Sequence, residues 1–267
     1  MNAFHRHGID HLSASSINLF IAQPAMWAVS YLMKKRTSVG PAAHRGTAIE
    51  CGVEAGLFDP VMPVVDCQQV ALAKYHSMTR LSADARIEKE REMIAPAVEI
   101  ALAELRQYGV PEKPEGSRQH KIEIQLPGVP VPLIGYLDLL FPQHGMVVDL
   151  KTTSRIPSEI SEAHSRQGAI YAAAKSNHQI RFAFVSAKKV AVYALDNAAD
   201  HLAEVCRAAQ AIENLLSLSD DSEQLTRCFA PDLSSFYWGD ASARALAQQI
   251  WGSGSEWRTA RPLAANE

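Results

Sequence analysis

The stretch "GMVVDLKTTS" (145–154) sets two charged side chains, Asp149 and Lys151, into a run that otherwise reads as a buried β-strand. A buried charge is tolerated only when it is paired, hydrogen-bonded or bound to metal. This segment therefore constrains a site as well as a sheet. Successive strand residues face opposite ways, so Val147, Asp149 and Lys151 share one face and Met146, Val148 and Leu150 the other. Upstream, "VPLIGYLDLLF" (131–141) reads as the preceding strand, with Tyr136, Asp138 and Leu140 on one face. The four residues "PQHG" form a hairpin turn between Phe141 and Met146. Symmetric pairing about that turn sets Phe141 opposite Met146 and Asp138 opposite Asp149, with Cβ atoms roughly 5 Å apart.

Two carboxylates so opposed repel each other and weaken the hairpin. A divalent cation between them reverses the sign, and hard carboxylate oxygens suit Mg²⁺ or Mn²⁺. Lys151 then stands at the edge of the site, able to donate to a phosphate oxygen or to hold an attacking water. Metal, water and ammonium together equip a site to hydrolyse a phosphodiester. The simpler alternative is a surface-facing Asp pair beside a surface lysine.

The pattern along the chain reads as a mixed α/β core with a helical N-terminal layer. Hydroxyl residues start a helix over 13–33 that is interrupted near Pro24, and "RGTAIECGVEAGL" begins the next. Long helical patterns fill 66–108, with a kink or break expected at Pro96. "GVPEKPEGSRQ" is a connector. "HKIEIQL", "VPLIGYLDLLF" and "MVVDLKTT" follow as strands, "SEISEAHSRQGAIYAAAKS" as a helix, "IRFAFVSAKKVAVYAL" as two more strands, and 198–218 as a long helix. From about 240 one further helix and a polar, disordered end are expected. The expectation is a single domain over 1–267, with a mainly helical part (1–110), a β-sheet core (118–218) and a C-terminal helix and tail (219–267).

The 26 basic and 29 acidic residues give a formal charge of -3, which excludes a generally basic nucleic-acid coat but not a local basic groove. No apolar run is long enough for a membrane span, and the N-terminus lacks the apolar stretch of a secretory signal. Cys51, Cys67, Cys206 and Cys228 are scattered, without a C-x-x-C pair. A soluble, cytoplasmic protein with no membrane partner is expected.

"GYLDLL" followed by "VVDLKTT" resembles the second and third motifs of the PD-(D/E)XK nuclease superfamily, and more closely its RecB-like and Cas4-like exonuclease branch. The resemblance implies a restriction-endonuclease-like core, a central mixed β-sheet flanked by helices. It also implies metal coordination by Asp138, Asp149 and the carbonyl of Leu150, with Lys151 as the catalytic lysine. "RQGAIYAAA" looks like the branch's Q-x-x-x-Y motif, which maps onto Gln167 and Tyr171, four apart on one helix face. "LSASSINLFIAQPAMWAVSYL" is similar to the branch's entry helix, and "RGTAIECGVE" to its first motif, G-x-x-x-H-x-x-x-E. The resemblance runs from about residue 12 to about 215, in the expected motif order.

Two positions depart from that pattern. Glu50 stands where relatives have the first-motif histidine, and a carboxylate can replace an imidazole toward a hard cation. Glu54, one turn on, is the second candidate, and His44 is a loop side chain. Alternatively, Thr47-Ala48-Ile49-Glu50 fits a capping box that closes a helix N-terminus. Gln23 stands where iron–sulfur relatives have their first cysteine, and Cys206 and Cys228 are too few to complete a cluster, so none is expected.

The implied function is a Mg²⁺- or Mn²⁺-dependent deoxyribonuclease, an exonuclease of recombination, repair or phage DNA processing. Lys34, Lys35, Arg36, Arg45, Arg155 and Arg166 are candidates for a DNA phosphate track, each alternatively a plain solvating charge. No Walker-type "GxxxxGK[ST]" occurs, so a helicase motor or a strand-annealing activity belongs to a separate partner. The rivals are a non-catalytic DNA-binding or assembly subunit that keeps the fold, and an unrelated α/β enzyme with a coincidental D-x-K.

Overall fold

A computed structural model describes residues 2–36, 39–114 and 119–252. The polar C-terminal end and part of the connector after Pro114 lie outside the described residues. The chain divides into two compact units. One comprises Met1–Ser38, Gly128–Val131 and Arg207–Glu267; the other comprises Val39–Pro127 and Pro132–Cys206.

The first unit opens with α1 (Ala3–Arg6), α2 (Ala14–Ala22) and α3 (Pro24–Tyr31). Ser13 caps α2 through a reciprocal capping box with Ser16, and Pro24 starts α3 at its first turn, where a missing N–H costs nothing. Ala25, Met26 and Val29 of α3 form a small core with Trp238, Ala243 and Ala247.

The second unit begins with α4 (Pro41–Phe58), α5 (Val64–Thr79), α6 (Ile87–Glu92) and α7 (Ile94–Leu105). The helix expected from Arg45 starts a turn earlier, at Pro41 behind the N-cap Gly40. Thr47 is therefore mid-helix, its hydroxyl directed at the Ala43 carbonyl, and the capping box at Thr47 does not form. The helical run is interrupted at Met93, between α6 and α7, and Pro96 sits in the first turn of α7. Glu92, four residues before Pro96, is the last residue of α6, so the interruption lies where a proline at 96 acts. Gly52 and Gly56 let α4 and α5 approach closely: a Cβ at Gly52 would lie 2.6 Å from the Cys67 carbonyl oxygen, and one at Gly56 2.7 Å from Cys67 Sγ.

Next come β1 (His120–Ile124), β2 (Leu133–Leu137), β3 (Leu139–Phe141) and β4 (Met146–Thr152). They are followed by α8 (Glu162–Ala174), β5 (Gln179–Val185), β6 (Val190–Ala194) and α9 (Ala198–Leu216). The unit boundary falls within α9. α10 (Ser222–Arg227) and α11 (Ala241–Trp251) complete the first unit. The main sheet has the order β3-β4-β5-β6; β4 and β5 are parallel and the other pairs antiparallel, so it is mixed. β1 and β2 form a separate antiparallel pair.

The register about the Pro142–His144 turn is the expected one, Phe141 opposite Met146, with Gly145 in the left-handed conformation that closes it. The ladder stops at Leu139 opposite Val148, however. The run 131–141 is two strands, broken by a bend at Asp138, because β2 pairs with β1 while β3 pairs with β4. Asp138 is thus not a cross-strand ladder partner of Asp149.

Met146, Val148 and Leu150 of β4, with Ala183 and Val185 of β5, pack on Ile49, Val53, Ala71, Val98 and Leu102 of the helical layer. The opposite face carries Asp149 and Lys151, in register with Phe182 and Phe184 of β5. α8 covers that face, and a Cβ on its Gly168 would lie 2.9 Å from the Phe182 ring. This is the restriction-endonuclease-like arrangement, a mixed sheet flanked by helices. Among the described residues no helix is long and apolar enough to cross a membrane.

Candidate active site

The bend that removes Asp138 from the ladder turns its carboxylate toward the end of β4. Its Oδ2 accepts the Leu150 amide at 2.9 Å. Its Oδ1 accepts from Gln119 Nε2 at 3.1 Å, and the same nitrogen donates to Glu50 Oε1 at 2.7 Å. Glu50 and Asp138 are therefore joined through one carboxamide.

Asp149 is 1% exposed. Lys151 Nζ lies 2.7 Å from its Oδ2, a close ion pair. Its Oδ1 accepts from Gln167 Nε2 at 3.0 Å. Gln167 donates also to the Tyr171 hydroxyl at 2.5 Å. The single proton of Tyr171 goes to the Tyr136 carbonyl at 2.8 Å, the shorter of its two acceptor contacts; Asp149 Oδ1 lies at 3.3 Å. β4, the bend at Asp138, Glu50 of α4, Gln119 and two turns of α8 thus contribute to one polar cluster.

The electrostatics follow from three carboxylates facing one ammonium. Burial, then the Asp149 and Glu50 charges, push the Asp138 carboxyl well above the usual carboxylate range. Burial pulls Lys151 down, but Asp149, Asp138 and Glu50 outweigh it and hold the ammonium above its ordinary value. Burial, then Asp149 and Asp138, push the Tyr171 phenol well up, so it stays a neutral donor. Burial and the Lys151 charge lower His164, whose ring stacks on Phe182 with centroids 5.8 Å apart.

The chemistry of this donor set suits a hard divalent cation: Asp149 is buried beside the Lys151 ammonium, and Asp138 and Glu50, joined through Gln119, add two further carboxylates. A separate group, Glu162, His201 and Glu204, brings ligand atoms within 4.8 Å of one another on α8 and α9. There Arg166 already pairs with Glu204 at 3.2 Å.

The other candidates make contacts of their own or face solvent. Glu54 is buried beside a recess of about 360 Å³ lined by Cys51, Phe58, Val70 and Lys113. Arg45 is buried and ion-paired with Glu90, so it ties α4 to α6. Arg166 is nearly buried against Glu204. Arg155 is exposed just beyond β4. Lys34, Lys35 and Arg36 are exposed in the first unit, where Lys34 donates to the Gly8 carbonyl at 2.7 Å. His44 is half-buried within α4, not in a loop.

Gln119 and His164 were not legible as site residues. Gln119 closes a polar connector and gives no local signal. His164 precedes Gln167 by three positions on α8, so helical spacing alone predicts that they share a face.

The profile of the PD-(D/E)XK nuclease superfamily matches residues 11–230, most of the chain and all of the cluster. The chain belongs to the PD-(D/E)XK nuclease superfamily. No curated protein matches it by sequence. Among solved structures, one described as "Crystal structure of SSO0001" is similar at 18% identity and a TM-score of 0.33, over 65% of this chain and 86% of that one.

Proposed function

We propose that this superfamily member is a Mg²⁺- or Mn²⁺-dependent deoxyribonuclease of the RecB-like and Cas4-like branch. It digests DNA from its ends in recombination, repair or phage DNA processing, in the cytoplasm and without an iron–sulfur centre. The observation that carries the reading is the convergence of Glu50, Asp138, Asp149 and Lys151 on one partly buried cluster with Gln167 and Tyr171. A surface-facing Asp pair would have no such enclosure. A pure binding subunit would gain nothing from gathering three carboxylates, one of them fully buried, around an ammonium.

Asp138, Asp149, Glu50 and the Leu150 carbonyl would hold the cation, which supplies Lewis-acid polarisation of the phosphate and a more acidic bound water. Lys151, charged at neutral pH and partly open to solvent, donates to a non-bridging phosphate oxygen or orients the attacking water. Gln167 holds the Asp149 carboxylate and is itself placed by the Tyr171 hydroxyl, so the ligand group does not swing as charge moves. Arg155, with Lys34, Lys35 and Arg36, would contact the DNA backbone.

Digestion of circular, linear and end-blocked DNA with Mg²⁺ or Mn²⁺ tests this reading. Cleavage confined to substrates with free ends supports it. Cleavage of circles contradicts the exonuclease part, and binding of DNA without cleavage favours the assembly-subunit alternative.

A further inference from the structure

The Gln119 carboxamide stands between two proposed cation ligands: one NH₂ group donates to Glu50 Oε1 at 2.7 Å and to Asp138 Oδ1 at 3.1 Å. Gln119 lies just before β1, half-buried, while Glu50 comes from α4 and Asp138 from the β2–β3 bend. Nothing local in the sequence brings these three together, so the contact is a product of tertiary packing. An amide with two protons does for two carboxylates what a cation does, but at longer range and without a full charge. Mg²⁺ holds oxygens at about 2.1 Å. The amide nitrogen cannot stay between two oxygens drawn in to that distance, so amide and cation are mutually exclusive there.

We infer that Gln119 is a positioning residue that takes the cation's place between Glu50 and Asp138 in the metal-free protein and must withdraw when metal binds. The inference rests on the metal-dependent reading above. It gives Gln119 two effects of opposite sign. It relieves carboxylate repulsion while the site is empty, and it sets metal affinity lower than the bare ligand set would have. The ligands are thereby kept apart in an ordered arrangement and not splayed by repulsion, at the cost of a weaker cation site.

The test is calorimetric titration of the full chain with Mn²⁺ alone, without DNA, together with melting of the metal-free protein. Gln119→Met keeps the side chain's length and removes the donor. It should bind Mn²⁺ about three- to tenfold more tightly, the scale of losing part of a charge-assisted hydrogen bond, and should melt lower without metal. Gln119→Glu should shift both quantities further in the same directions. A merely structural role would lower the melting point and leave affinity unchanged. Unchanged or weaker Mn²⁺ binding by both variants overturns the inference. If wild type takes up no Mn²⁺, or Asp149→Ala binds it as wild type does, the metal reading fails and the inference with it. If wild type binds, Asp149→Ala does not, and both Gln119 variants match wild type, the inference alone fails.

Discussion

Asp138→Asn should make the metal-free protein more stable and the metal-loaded protein less stable than wild type. Asp138 faces two like charges, Asp149 and Glu50, and one opposite charge, Lys151, in a buried setting. At an effective dielectric near 20 and separations of about 5 Å, each pair is worth about 3 kcal/mol. Removing the charge therefore relieves a net repulsion of roughly one such pair. Against this, the Leu150 amide keeps an acceptor oxygen but a weaker one, and Gln119 loses one of its two acceptors, costing together about 1–2 kcal/mol. The balance is a gain of about 1–2 kcal/mol, or about 3–6 °C for a protein of this size. The pH dependence has a definite sign. Because the folded-state pKa is raised, the folded protein keeps a proton that the unfolded chain has already lost. Wild-type stability therefore falls as pH rises from the ordinary carboxylate range through the folded-state value, and stays reduced above it. The variant lacks that fall, so its advantage widens with pH. Saturating Mg²⁺ at about 100 times its dissociation constant adds about 2.7 kcal/mol to wild type and little to the variant, which inverts the order. Thermal melts from acid to neutral pH, with and without Mg²⁺, read all three effects. A variant that melts below wild type without metal, or that gains as much from Mg²⁺, refutes the reasoning.

Lys151→Ala should lose cleavage while keeping Mn²⁺ affinity, and Lys151→Arg should also be poor because a planar guanidinium does not replace a compact ammonium beside Asp149; single-turnover cleavage and metal titration separate the two quantities. Tyr171→Phe leaves the Tyr136 carbonyl without its hydroxyl donor and Gln167 without one acceptor, so denaturant melts should show a loss of about 1–2 kcal/mol, alongside reduced cleavage. Gly52→Ala drives a methyl onto the Cys67 backbone carbonyl, and a loss of about 2–3 kcal/mol is expected in the same melts although the site is untouched.

The parts of the fold that sequence revealed are those set by local pattern. The alternation in 146–152 assigned Asp149 and Lys151 to the face away from Val148 and Leu150, and the short turn set Phe141 opposite Met146. Pro24 and Ser13 marked the helix ends where they occur. The errors arose where one chain segment serves two partners. Residues 131–141 look like a single strand, yet β1 claims the first half and β4 the second, and the resulting bend at Asp138 cannot be read from alternation. The capping box at Thr47 matched in composition but failed because Gly40 and Pro41 start the helix earlier. The ion pair of Arg45 with Glu90 was not legible either, because the fold of α6 brings Glu90 to it. Gln119 was invisible for the same reason, since its role depends on two residues distant in sequence.

The central claim is that Asp138, Asp149 and Lys151 form a metal-dependent site for phosphodiester hydrolysis. Its most direct test is Mn²⁺-dependent release of nucleotides from end-labelled linear DNA by wild type and Asp149→Ala, with Mn²⁺ binding measured on the same preparations. Release by wild type only in the presence of metal, with both release and metal binding lost in the variant, is the predicted result. Equal release by the two proteins, or release by wild type in excess chelator, would contradict it.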